Sequence, residues 1–310
     1  MKSRERFSDS SIIEEIKRIE NLPETKKRLD DVKRDLQDRV SKPYILGFIL
    51  LAAGLFIYYL FEMYGLIVCF FLYKYWYQYS QTNKSYIGNT YANIFLEPVL
   101  KEILPGTEID YFGTMDLYIL KNLVRNSEFY ESNCHIIFGD EYKTEFCNLK
   151  ANHYRRDKKG REINETDFMG QIFFAPIKTG INGHIRVAPI NKGGSHRPYG
   201  EDRDGEERME TESIEFNDLY TIFSTDDLNA KFILDTKIIE LLNDIGKRMN
   251  VSIYMNEEYV SIAFESNSLL FSLPYTPGGV NEISLSGEYE KIRKKLSDFY
   301  ALMDVIVEKF

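Results

Sequence analysis

Residues 44–73 read YILGFILLAAGLFIYYLFEMYGLIVCFFLY, thirty residues broken by a single charge, Glu62. A soluble domain has no use for such a run, and its composition is that of a membrane segment. It divides the chain into a charged arm over residues 1–43, a membrane part expected over 44–79, and a soluble region expected over 85–310. The apolar run comes after some forty residues rich in charge, so no signal peptide is expected.

One helix of thirty residues would be about 45 Å long, against a hydrocarbon core of about 30 Å. A helical hairpin fits better, with residues 44–61 as one arm, Glu62, Met63, Tyr64 and Gly65 as the turn, and residues 66 to about 79 as the return. Trp76 with Tyr73, Tyr75, Tyr77 and Tyr79 has the composition of an interfacial belt, and Lys74 can snorkel. Glu62 is costly at mid-bilayer but cheap at a turn near headgroups. Lys33, Arg34, Arg39 and Lys42 before the run, with Lys74 and Lys84 after it, suit two ends on the cytoplasmic side. One long helix is the alternative, and it would export the large C-terminal region.

Charge is divided unequally. The arm carries 12 Lys/Arg against 10 Asp/Glu, whereas residues 74–310 carry 27 against 37. An acidic soluble region is repelled by phosphate backbones and by anionic lipid, so nucleic acid is not an expected partner. Three cysteines are too few for a disulfide framework. Cys69 lies in the membrane run, and Cys134 and Cys147 are expected as free buried thiols.

In the arm, Ile12, Ile13, Ile16 and Ile19 predict an amphipathic helix over 10–20, capped by Asp9 or Ser10, before Pro23 interrupts the pattern. Leu29, Val32, Leu36 and Val40 predict a second helix reaching Ser41, with Pro43 leading into the membrane. This stripe falls short of the three heptads that a coiled coil wants, but it suits packing on its own chain or self-association.

The soluble region reads as helices at 89–104 and 114–126, then strands at 134–138 and 142–154 around a Gly139-Asp140 turn. A solvated loop at 155–166 and strands at 170–177 and 184–190 come after them. Residues 191–211, NKGGSHRPYGEDRDGEERMET, have neither periodicity nor core formers and are expected as a mobile loop. A short strand at 213–216 and a helical turn from Asn217 to Phe223 come next. Residues 225–248 predict one or two helices, with Thr225 or Asp226 capping the first and Asp235 the second. Phe216, Phe223, Phe232, Leu234, Ile238 and Leu242 are expected to point inward. Strands at 251–255, 259–265 and 269–273 form a meander. A final helix over 286–310 carries Ile292, Leu296, Phe299, Leu302 and Val305 on one stripe. Without β-α-β alternation, the expected fold is α+β with a mainly antiparallel sheet and packed helices.

Chemistry is sparse. Cys134, His135, Cys147 and His153 lie in neighbouring strands and would be the zinc ligands, but adjacent strand residues face opposite ways unless a bulge intervenes. Asp140-Glu141 and Asp226-Asp227 sit where turns and caps want carboxylates. Gly193-Gly194 lacks the lysine and serine of a phosphate loop, and no G-x-S-x-G occurs. No residue is therefore assigned a catalytic, cofactor-binding or metal-binding role.

Several segments nonetheless form a pattern: the helix YANIFLEPVLKEIL, the strand pair around IIFGDEYKTEF, the run MGQIFFAP, and IEFNDLYTIFSTDDLNAKFILDTKIIELLNDI with VSIYMNEEYVSIAF and LLFSLPY after it. Over about 128–275 the chain resembles the bacterial family called domain of unknown function 3137. Phe216, Phe223, Asp226-Asp227, Ala230 and Leu234 fall in the most recognisable segment, and Asp235-Thr236 stands where a Thr-Pro-like start is expected. The resemblance implies a membrane-attached bacterial protein of unassigned activity and transfers no catalytic residue. The expected function is a cytoplasmic interaction or sensing module tethered to the inner membrane. Its partners would be the bilayer and a protein or second copy reached through the arm. The alternatives are a membrane-bound enzyme with a dispersed site and a structural component of the cell envelope.

Overall fold

The computed structural model describes residues 3–191, 196–273 and 276–310. In chain order these form α1 (Ser3–Ser8), α2 (Ser10–Asn21), α3 (Pro23–Tyr91), a π-helical turn (Ala92–Leu96), α4 (Glu97–Ile103), β1 (Glu108–Asp110), α5 (Leu117–Leu123), β2 (Phe129–Ile137), β3 (Glu145–Arg156), β4 (Glu162–Ala175) and β5 (His184–Pro189). Then come β6 (Glu207–Met209), α6 (Ile214–Leu219), β7 (Tyr220–Ser224), α7 (Asp227–Ile233), α8 (Thr236–Gly246), β8 (Val251–Asn256), β9 (Val260–Glu265), α9 (Pro277–Asn281) and α10 (Leu285–Val307). Two compact units share them. One comprises Ser10–Glu102 and Phe271–Glu290; the other comprises Met1–Asp9, Ile103–Leu270 and Lys291–Phe310.

The first unit is built on α3. Its helical hydrogen bonding runs through Pro43, past the stop expected near Ser41, and on past Tyr79. The backbone is not straight, because Glu62 adopts φ 43° and ψ −114°, which no helix accommodates. Beyond it the chain returns along its own first half. Trp76 Nε1 donates to the Pro43 carbonyl at 2.8 Å, Cys69 Sγ to the Gly54 carbonyl at 3.4 Å, and Arg39 lies 3.6 Å over the Tyr86 ring. Residues 33 apart along a straight helix would lie about 50 Å from one another. The expected turn therefore forms at Glu62. The first arm, about 18 residues, rises about 27 Å, close to the thickness of a hydrocarbon core, and the return, about 14 residues, rises about 21 Å.

Gly65 makes this return possible, since a Cβ there would stand 2.6 Å from Tyr58 Cα and 3.0 Å from the Ile57 carbonyl oxygen. Of the most apolar 18-residue stretch only 6% is buried, which places these side chains against something other than water. The arm's stripe is used within its own unit: Leu29, Leu36 and Val40 are buried, and Lys33 reaches the Asn281 carbonyl of α9 at 3.4 Å.

The second unit is a nine-stranded sheet, ordered β1-β2-β3-β4-β9-β8-β5-β7-β6 among the described residues. Every pairing is antiparallel. Alternation divides its faces. On one, Leu149, Phe168 and Ala263 pack with Leu120 and Leu123 of α5. On the other, Phe173 stacks on Phe299 of α10 with ring centroids 4.3 Å apart.

Several sequence expectations need correction. Residues 213–216 are not a strand: the Ser213 side chain accepts from the Phe216 amide and starts α6, and the segment toward Phe223 is strand β7 rather than a helical turn. Residues 269–273 form no strand, because Asn148 on β3 accepts from the Leu270 amide and donates to its carbonyl, ending the meander at β9. Most of the expected loop at 155–166 is β3 and β4, joined by a tight turn that Asp157 holds through the Lys159 and Arg161 amides. Phe232 is 59% exposed rather than inward.

Candidate functional site

A buried charge cluster organises the sheet unit. Arg186 lies on β5 between Ile185 and Val187, opposite Phe223 of β7 and Tyr254 of β8. Its guanidinium rests 4.0 Å over the Phe223 ring. It donates to both Glu206 oxygens, Nη2 to Oε2 at 2.7 Å and Nε to Oε1 at 3.1 Å. Two further hydrogens reach the carbonyls of Tyr199 at 3.2 Å and Glu201 at 2.8 Å. His184 bonds Glu206 Oε1 at 2.8 Å, and the Arg203 amide donates to Oε2 at 2.8 Å. Arg203 in turn holds Asn122 of α5 through its side-chain oxygen and its carbonyl.

Arg186 is 1% exposed and the Glu206 side chain not at all. Burial resists ionisation of Glu206, but hydrogen bonds from His184 and Arg186, the Arg186 charge and the Arg203 amide together hold its carboxyl well below the usual carboxylate range. These partners consume both carboxylate oxygens and leave Arg186 turned wholly inward, so the cluster fastens residues 196–209 to the sheet rather than presenting a reactive group.

That is where the reading of 191–211 as a segment with nothing to bury meets a correction. His196 and Tyr199 are buried, and Glu207–Met209 pair with β7 as an edge strand. Charged residues here bury through pairing, which apolar patterning cannot register. A signal was nevertheless present in the sequence: an arginine inside the apolar strand HIRVAPI demands an acidic partner. The Gly193-Gly194 pair lies outside the described residues.

The other candidates disperse. The bulge that would bring Cys134 and His135 to one side exists, with Cys134 at φ 57° and a register shift after Asn133. Yet Cys134 is buried, whereas His135 bonds Glu145 at 2.8 Å. Cys134 and Cys147 are free thiols that burial pushes well above their usual pKa range. His153 bonds Asp167 through Nδ1 at 2.8 Å, and Ser127 donates to the same carboxylate at 2.9 Å. The serine thus faces the acid and not the imidazole, the reverse of what activates a nucleophile. Among the described residues no group of three or more His, Cys, Asp or Glu could hold a metal. Asp140 accepts from the Thr144 amide and hydroxyl and, at 2.7 Å, from Tyr300.

Asp226 and Asp235 serve as caps, accepting from the Asn229 and Ile238 amides. Asp226 also takes the Asn182 amide at 3.1 Å, whereas Asp227 is the exposed first residue of α7. Asp226→Ala should therefore cost about 0.5–2 kcal/mol in thermal unfolding of the detergent-solubilised chain, and Asp227→Ala next to nothing. Equal losses would mean that Asp227 has a contact beyond capping.

Several apolar side chains of this unit stay exposed, among them Ile214 at 79%. Leu228 and Phe232, one helical turn apart on α7, are 81% and 59% exposed.

Residues 166–310 match the family described as Protein of unknown function (DUF3137). The match begins in β4 and reaches the last residue, so its borders differ from those suggested by the resemblance. The segments YANIFLEPVLKEIL and IIFGDEYKTEF precede it. No curated protein matches the sequence. A solved structure described as the crystal structure of the mycobacterial trehalose monomycolate transport factor A, TtfA, is similar at 8% identity and a TM-score of 0.35. It aligns over 62% of this chain and 87% of that one, and a likeness so slight carries no argument. The chain is thus a membrane-tethered protein with an α+β soluble part in which neither a metal cluster nor a disulfide is found among the described residues.

Proposed function

We propose that this protein is a membrane-tethered interaction module, with its soluble region, residues 85–310, on the cytoplasmic side of a bacterial inner membrane. The reversal at Glu62 favours one side of the bilayer for both ends of the apolar run, and the basic residues flanking both arms favour the cytoplasm. The observation that carries the interaction itself is the Leu228/Phe232 pair, two apolar side chains on one helix face that stay largely in solvent, with the Lys309 ammonium 5.6 Å from the Phe232 ring centroid. An amphipathic partner can lay its own apolar residues along such a turn. The arm is a weaker candidate for that contact, because its stripe is buried within its own unit.

Affinity capture from native membranes, run in parallel with wild type and a Leu228→Asp/Phe232→Ser variant, tests this reading. A protein recovered in stoichiometric amount with wild type and lost with the equally folded variant is the expected result. Undiminished recovery with the variant would remove α7 as the contact.

A further inference from the structure

We infer that the cytoplasm-facing mouth of the hairpin is a binding site for a phospholipid with an anionic headgroup, one acyl chain of which lies in the groove between the two arms. The inference rests on the hairpin being inserted in a bilayer, and quenching by brominated lipids separates the two.

About 510 Å³ of space lies between the arms, lined by Gly47, Leu51, Gly54, Cys69, Leu72 and Trp76 among others, and by no charged residue. The groove runs beside the place where the arms meet most closely, at two positions of the first arm that carry no side chain: a Cβ at Gly47 would stand 2.7 Å from Trp76 Nε1, and one at Gly54 3.2 Å from Cys69 Sγ. Its volume lies within the range of about 300–1,000 Å³ typical of small-molecule sites.

A second cavity of about 340 Å³ shares Pro43, Tyr44 and Trp76 with the groove and so continues it past the aromatic belt. Its chemistry is one-sided. Arg39, Lys84, Asn83 and Ser80 line it, and no carboxylate does. Arg39 is held by Asp35 at 3.0 Å and by the Tyr86 ring, whereas Lys84 is exposed and has no ion pair among the described residues.

Asn83 is the more telling member. It is 5% exposed, and its Nδ2 is buried without a hydrogen-bond partner. Its Oδ1 accepts from Arg39 Nη1 at 3.4 Å, which fixes the amide orientation and leaves the NH₂ as the unpaired group of a residue that lines the cavity. A buried donor left unpaired costs stability unless something accepts from it. A phosphate oxygen beside Lys84 would do so, and the headgroup that carries it would sit at the level of Trp76 with its acyl chain running down the groove. Basic pockets between membrane helices on the cytoplasmic side recognise anionic lipids in this way.

Trp76 is the sole tryptophan in the chain and lines both cavities, so it reports on the site directly. The full chain is reconstituted in vesicles of phosphatidylcholine containing phosphatidylglycerol or phosphatidylcholine with brominated acyl chains, at matched mole fraction. Quenching of Trp76 by either lipid shows insertion, and no quenching by either would remove the hairpin from the bilayer. Given insertion, brominated phosphatidylglycerol should bind about five-fold more strongly per cation engaged. Lys84→Gln and Asn83→Leu should each reduce that preference, whereas Lys74→Gln, outside the cavity, should leave it unchanged. Equal quenching by the two lipids, or an equal loss from Lys74→Gln and Lys84→Gln, would overturn the site in favour of general surface charge. Asn83→Leu fills rather than opens the cavity, and Lys84→Gln alters only an exposed helical position, so folding does not obscure the result.

Discussion

Arg186→Met should cost the sheet unit about 3–5 kcal/mol, a large share of a domain's net stability. The loss comes less from the attraction removed than from what stays behind. Glu206 would remain fully buried with His184, one backbone amide and the more distant Arg203 guanidinium, 3.9 Å away, as its partners, and the carbonyls of Tyr199 and Glu201 would each lose a donor. Replacing Glu206 by Leu in the same chain should recover much of the loss, because no carboxylate is then buried without its guanidinium and Arg203 keeps Asn122 as its partner.

The pH dependence has a definite sign. The Glu206 carboxyl is depressed in the folded protein relative to about 4.3 in an unfolded chain, so its contribution is complete above that value and is lost as pH falls below it. Chemical denaturation from pH 7 down to pH 3 should show wild type weakening below about pH 4.5, with a shallower slope for Arg186→Met. A single-variant loss under about 1 kcal/mol would show that the cluster relaxes into water and does not fasten residues 196–209.

The second large effect is expected at Gly65. A leucine there would drive its Cβ into the backbone of Tyr58 and Ile57, which no rotamer change relieves. The arms should splay. A cross-link reads this directly, since a Cβ at position 54 stands 3.2 Å from Cys69 Sγ, about what a Cβ–S–S link spans. In a Gly54→Cys chain, mild oxidation in membranes should join position 54 to Cys69, and adding Gly65→Leu should reduce the yield to background. Reporter fusions at Asp9 and Phe310 should both give cytoplasmic signals in wild type. Opposite signals at the two ends would replace the hairpin with a single span.

Much of the organisation was legible in residue order because it depends on local chemistry. The thirty-residue apolar run, the Glu62 break, the Pro23 interruption and the caps at Asp226 and Asp235 all act within a few residues of themselves. The strands that became β5, β8 and β9 announced themselves by length and branching. Asp235 starts a helix whatever surrounds it.

The features that escaped the sequence depended on partners far along the chain. Residues 213–216 had the composition of a strand, but Ser213 capped a helix. Residues 269–273 had the same composition, but Asn148, more than a hundred residues earlier, took up the backbone groups that a strand would have paired. The segment 196–209 looked too polar to bury until Arg186 and Glu206 met across twenty residues and neutralised each other. Phe232 carried an inward-looking spacing, yet α7 turned it out. Local propensity determined where the apolar run lies and where the chain turns. Only the tertiary structure decided which charges could leave water and which apolar groups had to remain in it, because both depend on a partner that residue order does not place.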